Sequence, residues 1–160
     1  MVGGDYDPVM DPRSIKRILV PTDFSEPSSA AIDTAVDFAK AFGATIELVH
    51  VAGEAVYALP PPIDVATVPI DLTALVDRAR ASLEADEARV RAAGVSCQST
   101  MLGGRADSEI VAQAEKSDAD LIVMGTHGRS WLPHVLLGSV AEKVVQHAPR
   151  PVLIVPKRRR

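Results

Sequence analysis

The chain has 160 residues, of which 47% are hydrophobic and 24% charged, with a formal net charge of -4. That length and apolar content suit one domain with a sizeable core and leave little room for a second. A net acidic balance argues against a general nucleic-acid binder, whose affinity rests on neutralising phosphates, and no apolar run reaches the length of a membrane span.

At the front, Met1 to Pro8 has neither the basic start nor the apolar stretch of a signal peptide. The expected location is the cytoplasm, and residues 1–14 read as an N-terminal extension. The first β-rich run, Ile15 to Pro21, is followed from Pro27 to Phe42 by apolar residues at helical spacing, among them Ala31, Ala35, Phe38 and Phe42. Ser25 opens that helix, Pro27 lies just inside it, and Gly43 stops it. Ala44 to Val51 reads as the second strand. Residues 52–70 break the pattern, with Tyr57, the prolines Pro60, Pro61 and Pro62, and Pro69 in a stretch without a period. They read as a long loop insertion.

A second helix from about Asp71 to Ala93 carries Leu72, Leu75, Val76, Ala79, Leu83 and Val90 on one stripe and stops at Gly94. Val95 to Leu102 reads as a strand holding the only cysteine, Cys97, which has no internal disulfide partner and is expected to be a buried structural thiol. Gly103 and Gly104 turn the chain into a third helix at about Asp107 to Lys116. Leu121 to Met124 is a short apolar strand, Ser139 to His147 has the spacing of a one-faced helix, and Val152 to Val155 is the last strand. Strands separated by helix-length stretches are βαβ units, so the chain predicts an α/β fold on a parallel sheet. Lys157 to Arg160 is a basic tail, read as a solvated end.

Between the fourth strand and the last helix stand Gly125, Gly128 and Gly138, the last followed directly by Ser139. Backbone N–H groups beside a helix N-terminus attract anions, and glycines permit positive φ and close approach of a phosphate. The loop lacks the lysine of a Walker A sequence, and its second and third glycines are too far apart for a dinucleotide fingerprint. Ser139 and Glu142 also have the S-x-x-E spacing of a capping box, which is compatible with phosphate binding. Arg129 is the fixed cation of this loop, able to pair with phosphate oxygens or to stand in solvent.

Ligands of open parallel sheets sit beyond the carboxyl ends of the strands, where the strand order reverses. That singles out Pro21, Thr22 and Asp23 after the first strand, Val51 after the second, and Met124, Gly125 and Thr126 after the fourth. Asp23 can accept ribose hydroxyls, hold a metal-bound water near phosphates or cap a helix, and Val51 can offer backbone groups to a purine edge. His127 can contact a ligand through its backbone, but as a general base it has no recognisable orienting partner. His50, His127, His134 and His147 have no carboxylate or cysteine at ligand spacing, so no protein-ligated metal site is expected. Nor is there a local signature of a nucleophilic triad.

The pattern Gly-x2-Gly-x9-Gly-Ser, met by Gly125, Gly128, Gly138 and Ser139, resembles the nucleotide-binding motif of the universal stress protein family. The resemblance extends to Lys16 through Ser25, Leu48 through Val51, Ala119 through Arg129, and Gly138 through Val155, and so covers about Ile15 to Pro156 as one domain. It implies a five-stranded parallel sheet in the order 3-2-1-4-5 with helices on both faces, Rossmann-like and of the adenine nucleotide alpha hydrolase-like kind. It also implies a homodimer joined through the last strand, around Val152 to Val155. Members with the full glycine motif generally bind ATP. Carried over by position, Asp23 would meet the ribose or phosphates, Val51 the adenine, and Gly125, Thr126, Gly128, Arg129, Gly138, Ser139 and Val140 the ribose and phosphates, with Mg2+ held mainly by the phosphates. Trp131 and Pro133 stand where relatives carry small or flexible residues.

Three functions compete on these grounds. The first is an ATP-binding regulatory protein that responds to stress through dimer shape or an unidentified protein partner. The second is a slow ATPase or other adenine-nucleotide enzyme, disfavoured because the site has anion binders but no Walker lysine and no evident water-positioning base. The third is a dimeric interaction module that needs no nucleotide, against which the intact glycines count.

Overall fold

A computed structural model describes residues 15–53, 72–126 and 137–156. The N-terminal extension, nearly all of the proline loop, the basic tail, and the loop residues His127, Gly128, Arg129, Trp131, Pro133 and His134 lie outside the described residues. The elements run β1 (Arg17–Pro21), α1 (Glu26–Phe42), β2 (Thr45–Val51), α2 (Leu72–Ala92), β3 (Cys97–Leu102), α3 (Ala106–Lys116), β4 (Leu121–Gly125), α4 (Ser139–His147) and β5 (Val152–Val155). The strands form one parallel sheet in the order β3-β2-β1-β4-β5, as the resemblance implies. Strand starts fall up to two residues later than the β-rich runs, at Arg17 rather than Ile15 and at Cys97 rather than Val95.

Alternation along the strands builds two cores. Ile18, Val20, Ile46, Leu48, Leu121 and Val123 pack against Ala31, Ile32 and Ala35 of α1 and Leu83 and Val90 of α2. On the opposite face Leu19, Val49, Ile122 and Met124 pack against Ile110 and Ala114 of α3 and Ala141 and Val144 of α4. Burying each valine, leucine or isoleucine contributes about 1.5–3 kcal/mol, so both faces hold the sheet in place.

Helix α1 begins and ends where its punctuation directs. Ser25 is the N-cap, with its side chain accepting from the Ser28 amide, and Pro27 sits in the first turn. Gly43 ends the helix at φ 65°, a left-handed conformation in which its N–H reaches the Ala39 carbonyl.

Helix α2 departs from its expected stripe. Leu83 and Val90 are buried, but Leu75 and Val76 are 43% and 38% exposed. A helix of 21 residues is about 31 Å long, whereas the 6 residues of β3 span about 20 Å. Its C-terminal half covers the sheet and its first turns overhang the carboxyl edge.

Glu47 is buried in mid-strand β2, accepting from Gln113 Nε2 of α3 at 2.6 Å and from Thr100 Oγ1 of β3 at 3.0 Å. Both donors reach Oε1 of a carboxylate that strand alternation places on the same covered face as Val49. Cys97 is buried as expected, at 5% exposure.

Candidate functional site

The strand order reverses at β1. From β1 the chain works outward through β2 to β3, then crosses back to β4 on the other side of β1. The carboxyl ends of β1 and β4 therefore flank the crevice where open α/β sheets take ligands.

One wall is the turn from β1 into α1. Pro21 and Thr22 are buried, and Thr22 donates its amide to the Val49 carbonyl at 2.8 Å, extending the pairing with β2 by one residue. Asp23 follows, half-buried; its Oδ1 accepts from the Ser25 amide at 3.1 Å and from Ser25 Oγ at 2.5 Å. Asp23 thus shapes the turn, and the capping role that the sequence also allowed it belongs to Ser25.

Between them stands Phe24 at φ 64°. A bulky side chain in the left-handed region costs about 1–3 kcal/mol, so the surroundings must hold it there. Its amide donates to Thr22 Oγ1 at 3.1 Å, and its ring lies 4.4 Å from the His50 ring, centroid to centroid. His50 is buried near the end of β2, and its Nδ1 is 2.8 Å from the Thr22 carbonyl oxygen. Neither Phe24 nor His50 stood out as a site residue in the sequence. Val51 follows His50 as the last residue of β2, half-buried at the rim.

The facing wall comes from β4 and α4. Met124 is buried, while Gly125 and Thr126 are half-buried at the strand's end. The Thr126 amide donates to the Val155 carbonyl at 3.2 Å, and the Thr126 carbonyl accepts from the Gly138 amide at 2.7 Å. That bond brings the two ends of the glycine loop together and sets the start of α4 beside the end of β4. Gly138 is thereby held beside Thr126, with Ser139 and Val140 following in the first turn of α4.

Two expectations need correction. Ser139 is not a capping-box residue: it is the first residue of α4, Gly138 occupies the N-cap, and among the described residues no side chain bonds the cap. The Thr126–Gly138 bond fixes the helix start one residue ahead of the serine. The first-turn amides therefore lack that internal acceptor, which suits an anion better than the box would have done.

The second correction concerns the glycines. Neither Gly125 nor Gly138 has positive φ, and Gly138 sits at φ -68°, which any residue adopts. What Gly125 needs is space: a Cβ there would lie 2.8 Å from the carbonyl carbon of Pro27.

Among the described residues no three histidines, cysteines or carboxylates gather as a metal site. Nor is any helix among them long and apolar enough to cross a membrane.

Comparison with known proteins agrees with this architecture. The profile of the universal stress protein family matches residues 14–156. The universal stress protein MJ0531 of Methanocaldococcus jannaschii is 37% identical over 142 residues, covering 89% of this chain and 82% of that protein. The solved structure of MJ0577, from the same organism, superposes with a TM-score of 0.77 at 31% identity, covering 91% of this chain and 99% of the other. A universal stress protein solved in complex with cAMP matches with a TM-score of 0.67 at 26% identity, covering 90% and 98% of the two chains.

Proposed function

The chain belongs to the universal stress protein family, and from that premise we propose that it is an ATP-binding regulatory protein of the stress response, acting as a cytoplasmic homodimer. The observation that carries this reading is the Thr126–Gly138 bond, which sets the α4 N-terminus, uncapped by any side chain among the described residues, against the end of β4 at the crevice. Amides at a helix N-terminus favour phosphate oxygens. The relative solved with cAMP supports an adenine nucleotide as the ligand class.

In this reading Val51 meets the adenine, and Pro21, Thr22 and Asp23 line the ribose side. Met124, Gly125, Thr126, Gly138, Ser139 and Val140 follow the phosphates, and His127, Gly128 and Arg129 complete the loop. Asp23 is the one carboxylate of this set, so Mg2+ would be held chiefly by phosphate oxygens. Subunits join along β5, which lies at the sheet edge. Binding, rather than turnover, is the function proposed: the site offers anion-binding amides and no Walker lysine.

The test is to denature the purified protein and identify any released small molecule, then to titrate the emptied protein with ATP and Mg2+. Co-purified ATP and saturable binding are expected. ADP or AMP accompanied by multiple turnover would favour the enzyme reading, and failure to bind any adenine nucleotide would favour a nucleotide-independent module.

A further inference from the structure

We propose that His50 is a positioning residue for the Asp23 wall of the crevice, acting through the turn from β1 into α1; its link to ligand affinity rests on the nucleotide-binding reading above. A carbonyl oxygen only accepts hydrogen bonds, so the 2.8 Å contact to Thr22 O assigns the proton to Nδ1 of His50. The same ring packs against Phe24, with centroids 4.4 Å apart and planes tilted by 35°. One buried side chain thus grips the residues on both sides of Asp23.

That grip falls where the backbone needs it. Phe24 is held at φ 64° without the freedom of a glycine. The Phe24 amide reaches back to Thr22 Oγ1 and the Ser25 amide to Asp23 Oδ1, so the left-handed step sets where the Asp23 carboxylate stands. His50 also precedes Val51, the residue assigned to the adenine.

Two substitutions separate the donor from the ring. In His50→Asn the side-chain amide nitrogen takes the place of Nδ1 and the ring is lost; in His50→Phe the ring is kept and the donor lost. The protein is titrated with ATP and Mg2+ by calorimetry, and exchange of the Ser25 amide is followed by NMR without nucleotide. His50→Phe is expected to weaken ATP binding about tenfold, the worth of one buried hydrogen bond, and to speed Ser25 exchange. His50→Asn, which restores a donor but lacks the ring against Phe24, should recover part of both losses. In an Asp23→Asn background, His50→Phe should cost little further affinity, because it acts through the missing carboxylate.

Parent-like affinity and unchanged Ser25 exchange in His50→Phe would overturn the assignment, as would an undiminished loss in the Asp23→Asn background. Failure of the parent protein to bind ATP would overturn the nucleotide reading instead. Ser25 exchange then decides for His50 by itself, faster exchange in His50→Phe upholding the positioning role and unchanged exchange refuting it.

Discussion

A Cβ placed on Gly125 would lie 2.9 Å from the Cβ of Pro27 and 2.8 Å from its carbonyl carbon. Neither a proline ring nor a backbone carbon in the first turn of α1 can swing aside, so the whole turn would have to shift. Glycine at this point is a packing requirement between β4 and α1, whatever else the loop binds. Gly125→Ala should lower stability by about 1–3 kcal/mol, the cost of overpacking a close contact. The urea midpoint measures this; a parent-like midpoint would mean that α1 yields freely.

Gly138 presents the opposite case. Its φ of -68° and ψ of 154° suit any residue, so a side chain there leaves the backbone unstrained. Replacing a glycine N-cap costs about 1 kcal/mol. A branched side chain beside the α4 amides should nevertheless keep phosphates away. Gly138→Val is expected to retain the parent's cooperative unfolding and to lose about a hundredfold or more in ATP affinity, roughly 3 kcal/mol. Calorimetric titration alongside a urea melt separates the two effects, and undiminished affinity would put the phosphates elsewhere.

Much of this arrangement is legible in the chain because its signals are local. Ser25, Pro27 and Gly43 punctuate α1, and βαβ alternation leaves few topologies to choose from. The unread features depend on distant partners. Glu47 is buried by Gln113 and Thr100, which lie 66 and 53 residues away in sequence. Phe24 has a left-handed backbone that no glycine or asparagine announces, and it rests on a histidine from another strand. At Ser139 the S-x-x-E spacing is present, yet a tertiary hydrogen bond to Thr126 starts the helix at the neighbouring glycine. The overhanging turns of α2 reflect a mismatch of helix and strand lengths, which an apolar stripe does not encode.

Cys97 offers a chemical test of the core. Burial, helped by the nearby Glu87 charge and opposed by Arg91, raises its thiol from 9.0 to about 12. Because the folded value lies above the unfolded one, its contribution to stability is full below pH 9 and is lost as pH climbs toward 12. Thiolate is the reactive form, so iodoacetamide at pH 8 should leave the folded protein unmodified and label it once urea unfolds it. Mass spectrometry after timed quenching checks this. Labelling of the folded protein at the rate of a free thiol would contradict the buried assignment.

The edge of the sheet carries the last prediction. β5 pairs with β4, and Val152, Leu153, Ile154 and Val155 are all half-buried, an apolar strand at the margin of the fold. Such an edge invites pairing with a second strand. The Pro151 and Val155 carbonyls accept from the amides of Ile122 in β4 and of Thr126 just past its end. Since alternate residues of a parallel ladder face opposite sides, the N–H of Ile154 points away from β4, toward any partner. Ile154→Pro removes that outward donor without removing a donor to β4, and proline is tolerated at sheet edges. If subunits join by pairing through β5, this variant should run as a monomer in size-exclusion chromatography with light scattering where the parent runs as a dimer. Its far-UV circular dichroism should stay like the parent's. A variant that keeps both the dimer mass and the fold would place the interface away from β5.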